Sequence, residues 1–257
     1  MTARTDSIVG WLRQRLKHSG ARGFVFGLSG GVDSAVVARL CQAAAPANVV
    51  GLLMPIHGDP RDEADARLVA EHCRVPTIRV DLAPAYDHFT ATLGAVMTAL
   101  PREQFPDAAH PTEDIRARLP LANVKPRMRM TTLYFVANTL NYLVAGTGNR
   151  SELSIGYFTK YGDGGVDLLP IGELLKSQVR EAARELGVPE AVIDKPPSAG
   201  LWLGQTDEAE MGFTYAELEN YLSKGAETVS PALAMRIERL IRMSEHKRTL
   251  APTPETT

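Results

Sequence analysis

The run Phe24-Val25-Phe26-Gly27-Leu28-Ser29-Gly30-Gly31-Val32-Asp33-Ser34-Ala35 constrains this chain more than any other, because a buried-type strand passes through a glycine turn straight into helical periodicity. Such a turn brings backbone close to whatever it binds. Gly30 and Gly31 reach backbone angles closed to other residues, and the following helix points its free N–H groups and positive dipole end at the same place. Ser29 and Ser34 add hydroxyl donors. A helix dipole is worth only about 0.3–1 kcal/mol at exposed sites, so amides, hydroxyls and a cation must act together to hold a pyrophosphate. Asp33 repels phosphate, and its chemistry suits Mg²⁺ instead. The bland alternative is simple helix capping by Asp and Ser.

Around this turn, short apolar runs at 24–28, 49–54, 77–80 and 142–145 alternate with helix-spaced apolar residues at 35–44, 63–72 and 129–140. That alternation predicts an α/β fold, a Rossmann-like doubly wound parallel sheet flanked by helices with right-handed crossovers. Ile8, Leu12 and Leu16 predict an amphipathic N-terminal helix, and helical patterns at 174–186, 215–222 and 231–243 predict a C-terminal helical extension of the same domain. Residues 1–250 read as one domain and 251–257 as a flexible tail. The segments 100–120 and 194–213 resist regular assignment, and loops of that length are usually lids or binding loops.

Charge and cysteine content narrow the function classes. With 28 basic against 30 acidic side chains in 257 residues, the formal net charge is −2, which disfavours nucleic-acid binding and leaves room for a local anion pocket. Cys41 and Cys73 are far apart and outside any Cys-x-x-Cys spacing, so they read as two buried thiols. No apolar run approaches the roughly 20 residues of a membrane span. The expected location is cytoplasmic.

The turn lacks the lysine of the G-x-x-x-x-G-K-[ST] loop and the spacing of the G-x-G-x-x-G fingerprint. Ser29-Gly30-Gly31-Val32-Asp33-Ser34 instead resembles the signature of the ATP pyrophosphatases (the PP-loop superfamily), which cleave ATP between its α and β phosphates and adenylate a substrate. Three further segments resemble the motif series of the NAD synthetases. They are Asn123-Val124-Lys125-Pro126-Arg127-Met128-Arg129-Met130, Gly146-Thr147-Gly148-Asn149-Arg150-Ser151-Glu152 and Gly156-Tyr157-Phe158-Thr159-Lys160-Tyr161-Gly162-Asp163-Gly164-Gly165-Val166-Asp167. The match resumes at Lys195-Pro196-Pro197-Ser198, Gln205-Thr206-Asp207-Glu208 and Glu245-His246-Lys247-Arg248, and so covers nearly the whole chain in order.

The resemblance implies a ligase of NAD biosynthesis: ATP-dependent amidation of nicotinic acid adenine dinucleotide (deamido-NAD) through an adenylated carboxylate. It implies Asp33, Glu152 and Lys176 as catalytic residues, with Asp33 and Glu152 holding Mg²⁺. ATP would be bound by Gly27, Leu28, Ser29, Gly30, Gly31, Val32, Asp33, Ser34, Thr147, Lys176 and Ser198, the last standing where many relatives carry Thr. Deamido-NAD would be bound by Arg127, Lys160, Asp167, His246 and Lys247. Each of these has a bland counterpart: Arg127 and Arg129 as a solvated helix face, Lys160 as part of a surface turn, His246 and Lys247 as a helix C-terminus. Two departures stand out. Many relatives read Gly-Thr-Asp-His-Ala-Ala-Glu over 146–152, and many have Ala at the position of Pro126.

Some relatives fuse an N-terminal glutaminase, whereas here the phosphate loop begins at Ser29, so free ammonia is the expected nitrogen donor, with a separate glutaminase left open. The resemblance also implies a homodimer. The rivals are another ATP pyrophosphatase, such as a purine-nucleotide amidase or a tRNA thiolase, and a non-catalytic nucleotide sensor. The missing basic patch and paired cysteines speak against the thiolase.

Overall fold

Phe24, Val25 and Phe26 point alternately to the two faces of β1 (Gly23–Gly27), and that alternation sets the layers of the molecule. The computed structural model describes residues 2–101, 103–104, 115–198, 200 and 204–254. In chain order the elements are α1 (Ala3–Ser19), β1, α2 (Val32–Ala44), β2 (Val49–Leu53), α3 (Pro60–Cys73), β3 (Thr77–Arg79), α4 (Ala83–Thr98), α5 (Ile115–Leu140), β4 (Tyr142–Val144), α6 (Arg150–Ile155), α7 (Lys176–Glu185), α8 (Glu190–Ile193), α9 (Asp207–Met211), α10 (Tyr215–Lys224) and α11 (Pro231–Met243).

The four strands form one parallel sheet in the order β3-β2-β1-β4. Phe24 and Phe26 pack under Leu12 of α1, Val36 and Leu40 of α2, Val69 of α3 and Val179 of α7. Val25, Leu52 and Val144 pack on the opposite face against Leu133 and Ala137 of α5, with Tyr86 of α4 beside them. The sheet is therefore wound on both sides, as the alternation of runs predicts. A third cluster joins Ile155 of α6, Met211 of α9, Tyr215 and Leu218 of α10 and Ile237 of α11, which is the C-terminal helical extension. The chain leaves β1 toward β2 and β3 and returns on the other side as β4, so the strand order reverses between β1 and β4. Sheets of this kind open a ligand crevice at that point, beyond the carboxyl ends of the strands.

The structure differs from the sequence reading on this second face. α4 has no counterpart among the expected helices, and α5 begins at Ile115, well before the expected start at 129, carrying Pro120 and Pro126 inside it. A proline within a helix costs about 3 kcal/mol through its lost N–H and ring clash. Tertiary packing offsets this at Pro126, which is buried with its ring against the turn at Gly162. Of the segment 100–120, residues 115–120 are thus helical, while 105–114 lie outside the described residues. The segment 194–213 is irregular except for α9, and residues 199 and 201–203 also lie outside. Residues 251–254 are exposed and without regular structure.

Cys41 and Cys73 are buried and free, and burial pushes the Cys73 thiol up to about 11, which keeps it protonated. Among the described residues no helix is long and apolar enough to cross a membrane. Because Phe26 is fully buried between β1 and the helices above it, Phe26→Ala is expected to cost about 3–5 kcal/mol in urea unfolding. A loss under about 1 kcal/mol would contradict this packing.

Candidate active site

β1 delivers the chain to the phosphate loop and α2 carries it away. Gly30 has φ +80°, a left-handed conformation open to glycine, and a Cβ there would run into the Asp62 carbonyl oxygen of α3. Gly31 is the N-cap residue of α2, and no side chain caps the helix. The capping alternative therefore fails: Ser34 turns inward, donating to the Gly31 carbonyl at 2.9 Å and accepting from the Ser29 amide at 3.3 Å. The Ser29 and Ser34 hydroxyl oxygens lie 3.2 Å apart. What remains at the opening of α2 is an uncapped helix N-terminus flanked by two hydroxyls, suited to phosphate oxygens.

Three charged side chains converge beside it. The Lys176 ammonium, 3% exposed at the first residue of α7, meets Asp33 Oδ2 at 2.5 Å and Glu152 Oε1 at 3.2 Å. Asn149 arranges both carboxylates. Its Nδ2 donates to Asp33 Oδ1 at 2.9 Å, and it is the N-cap of α6, with its Oδ1 accepting from the Glu152 amide at 3.1 Å and its own amide donating to Glu152 Oε2 at 3.3 Å. The Asn-x-x-Glu capping box is thus the local reason that Glu152 faces Asp33.

Tyr215 of α10 completes the cluster, its hydroxyl 2.8 Å from Asp207 Oδ2 and 3.2 Å from Glu152 Oε1, its ring face 5.1 Å from the Lys176 nitrogen. Burial works against the Lys176 charge, yet the neighbouring Asp33 and Glu152 carboxylates outweigh it and hold the ammonium above the ordinary lysine range. Burial raises the Glu152 carboxyl to about 7, opposed by Lys176 and reinforced by Asp33 and Asp207. Asp207 is raised by burial as well.

A cavity of about 980 Å³ opens from this cluster, near the upper end of the usual range for small-molecule sites. Gly27, Leu28, Ser29, Gly31, Val32, Asp33, Ser34, Thr147, Glu152, Lys176, Ser198 and Lys247 line it, whereas Gly30 backs onto α3 instead. Of the residues expected to bind the acid dinucleotide only Lys247 lines the cavity, donating to the Gly156 and Phe158 carbonyls at 2.7 Å each; Arg127, Lys160 and His246 lie outside that lining, Arg127 donating to the Lys160 carbonyl and Lys160 to the His246 carbonyl. Asp167 stands apart, accepting from the Val144 amide at 2.8 Å and the Tyr134 hydroxyl at 2.9 Å.

Several lining residues carry no role in the sequence reading. Arg129 is turned inward, its Nε donating to the Met54 carbonyl at 3.1 Å, while Arg127 is exposed. Two residues apart on a helix, they point in nearly opposite directions, so one solvated face cannot hold both. Lys195 pairs with Asp62 at 2.8 Å and Asp65 at 2.5 Å, fastening the segment that leads to Ser198 onto α3. Asn149, Asp207 and Tyr215 were equally silent. The Asn-x-x-Glu spacing was a readable signal for Asn149, but no local pattern marks Asp207 or Tyr215.

The same chain resembles known proteins over almost its full length. The NAD synthase family model matches residues 4–251. An NH(3)-dependent NAD(+) synthetase of Carboxydothermus hydrogenoformans is 50% identical over 98% of this chain and 96% of its own. Among solved structures, an NMN synthetase from Francisella tularensis superposes with a TM-score of 0.86 at 37% identity, covering 98% of each chain. An NAD+ synthetase from Burkholderia pseudomallei superposes with a TM-score of 0.75 at 33% identity, covering 96% of this chain and 90% of its own. With a family match over 4–251 and half of all residues shared with a curated relative, on a fold whose phosphate loop meets a buried Asp-Lys-Glu cluster, the chain belongs to the NAD synthase family.

Proposed function

We propose that this chain is an ammonia-dependent NAD synthetase that amidates deamido-NAD at the expense of ATP, releasing AMP and pyrophosphate. The observation that carries this reading is the Asp33–Lys176–Glu152 cluster beside the uncapped start of α2, inside the large cavity of a chain that belongs to this family. The α2 amides with Ser29 and Ser34 take the β and γ phosphates. The nicotinate carboxylate oxygen then bonds to the α phosphorus as the bond to the β-phosphate oxygen breaks and pyrophosphate leaves. Ammonia, formed as ammonium gives one proton to water, bonds to the activated carboxyl carbon; the C–O bond to AMP breaks, AMP leaves with that electron pair, and the nitrogen releases a second proton to solvent to give the neutral amide.

Bringing two anions together in line is the main difficulty, and preorganised charge is what overcomes it. Asp33 Oδ2 and Glu152 Oε1 both reach one ammonium nitrogen, so the two oxygens converge on a point that a small cation can share. Among the described residues no three such side chains form a ready metal cage. Two carboxylates completed by phosphate oxygens and water fit Mg²⁺, which keeps several waters and seldom uses an all-protein cage. When bound with the nucleotide, Mg²⁺ would neutralise phosphate charge. Lys176, released from the carboxylates, turns its ammonium to the nucleotide, with Thr147 and Ser198 as hydroxyl donors from the cavity wall. Arg127, Lys160, Asp167, His246 and Lys247 are proposed to receive the acid dinucleotide, their present bonds to carbonyls and to Tyr134 being exchanged for substrate.

A homodimer is part of the same reading. α4 and α5 carry exposed apolar side chains, Phe89 at 47%, Val96 at 57% and Phe135 at 72%, and a second copy covering them would lie beside Tyr134 and Asp167.

The structural similarity to an NMN synthetase favours one second reading, with the acid mononucleotide as acceptor. Assaying AMP formation from ATP and ammonium with either acid separates the two: a higher kcat/KM with the dinucleotide is expected, a preference for the mononucleotide reassigns the acceptor, and ATP binding without AMP release means a sensor. Asp33→Asn is expected to leave the circular dichroism spectrum intact while cutting Mg²⁺-dependent AMP formation by roughly 100-fold or more; near-normal turnover would remove Asp33 from the cation site. Phe135→Asp is expected to convert the dimer to a monomer in light scattering, and an unchanged mass would move the interface elsewhere.

A further inference from the structure

We propose that Tyr215 and Asp207 are positioning residues for the reaction: together they hold Glu152 in its working orientation and tie it to the segment that carries Ser198. The proposal rests on the reading of Glu152 as a carboxylate facing the cation of the nucleotide. Both residues are almost fully buried, Tyr215 at 5% and Asp207 at 4% exposure. The tyrosine ring packs with Leu218 and Ile237, a task phenylalanine would perform as well. Its hydroxyl needs another reason, and it bridges Asp207 Oδ2 at 2.8 Å and Glu152 Oε1 at 3.2 Å.

Asp207 is the more telling of the two. A buried carboxylate is costly unless paired, yet the nearby ammonium of Lys176 is already in contact with Asp33 and Glu152. Three carboxyl groups are gathered around one ammonium, and a divalent cation beside them would favour their charged forms. The Tyr157 hydroxyl, whose one proton faces Glu210 Oε2 at 2.8 Å, also lies 3.2 Å from Asp207 Oδ1. The Asp207 backbone amide donates to the Pro197 carbonyl at 3.0 Å, next to Ser198. Asp207, with Tyr215 between, thus links the Pro197–Ser198 segment to Glu152. Partners of this kind behind a metal-facing group are worth roughly 10–100-fold in metal affinity elsewhere.

The test measures, for the full chain, binding of a non-hydrolysable ATP analogue as a function of Mg²⁺ concentration, together with the melting temperature in the absence of both. Asp207→Asn keeps the shape and removes the charge; Tyr215→Phe keeps the ring and removes the hydroxyl. The Mg²⁺ concentration for half-maximal binding is expected to rise about tenfold in each. The metal-free melting temperature of Asp207→Asn should stay level or rise, because the cost of burying that carboxylate is gone. In steady-state assays KM for Mg-ATP should rise while KM for ammonia does not.

A purely structural role predicts the opposite pairing, a lower melting temperature with unchanged Mg²⁺ dependence, and that result in the two variants would overturn the proposal. Asp33→Asn measured in parallel keeps the two levels distinct. If it too leaves Mg²⁺ dependence unchanged, the cation reading and this inference fall together; if it alone weakens Mg²⁺ dependence, only the positioning role is lost.

Discussion

A single buried ammonium organises the working end of this molecule. Lys176 opens α7 with its backbone amide bonded to Ser151 of α6 at 3.1 Å, and its side chain reaches Asp33 on α2 and Glu152 on α6. Three elements that are distant along the chain are thereby locked at one point. Buried ion pairs are poor evidence for stability, because desolvation can exceed the Coulombic gain. What this one supplies is convergence. The two carboxylates are held together, their repulsion offset by the ammonium between them.

The sheet determines where that point lies. β1 and β4 pair in parallel, and the chain departs from them in opposite directions, which leaves their carboxyl ends bordering a crevice rather than a crossover. The phosphate loop lies after β1; Thr147 and the Asn149 cap lie after β4. The uncapped amides of α2 and the Asp33 and Glu152 carboxylates are therefore set side by side by topology. Beyond the cluster, Arg127, Lys160 and Lys247 donate to carbonyls of their own chain, which ties α5, the turn after α6 and the C-terminal segment together.

The legibility of these features in the sequence varied with their range. β1 and β2 were readable because burial on both faces of a parallel sheet demands short continuous apolar runs, whereas β3, exposed at all three residues on the sheet edge, was marked only by its place in the alternation. α11 was readable to the residue, since Ser230 and Pro231 mark its start by local chemistry. Of α5 only 129–140 was, because Pro126 contradicts a helix locally and only the packing of its ring against the Gly162 turn lets the helix begin earlier.

Within the site, the phosphate loop and the Asn149 capping box depend on neighbours a few positions away, so residue types and spacing alone determined them. Asp207, Tyr215, Arg129 and Lys195 depend on partners brought from other elements, Glu152, Met54 and Asp62 among them. By itself, then, the sequence determined the strand-turn-helix unit and the alternation of strands and helices, because backbone conformation and hydrophobic period are short-range properties. Only the tertiary structure decided that Lys176 sits between Asp33 and Glu152, that Arg129 faces the cavity while Arg127 faces solvent, and that a third carboxylate is buried beside the first two. Electrostatic and packing energies depend on distance through space, and spacing along the chain does not carry that distance.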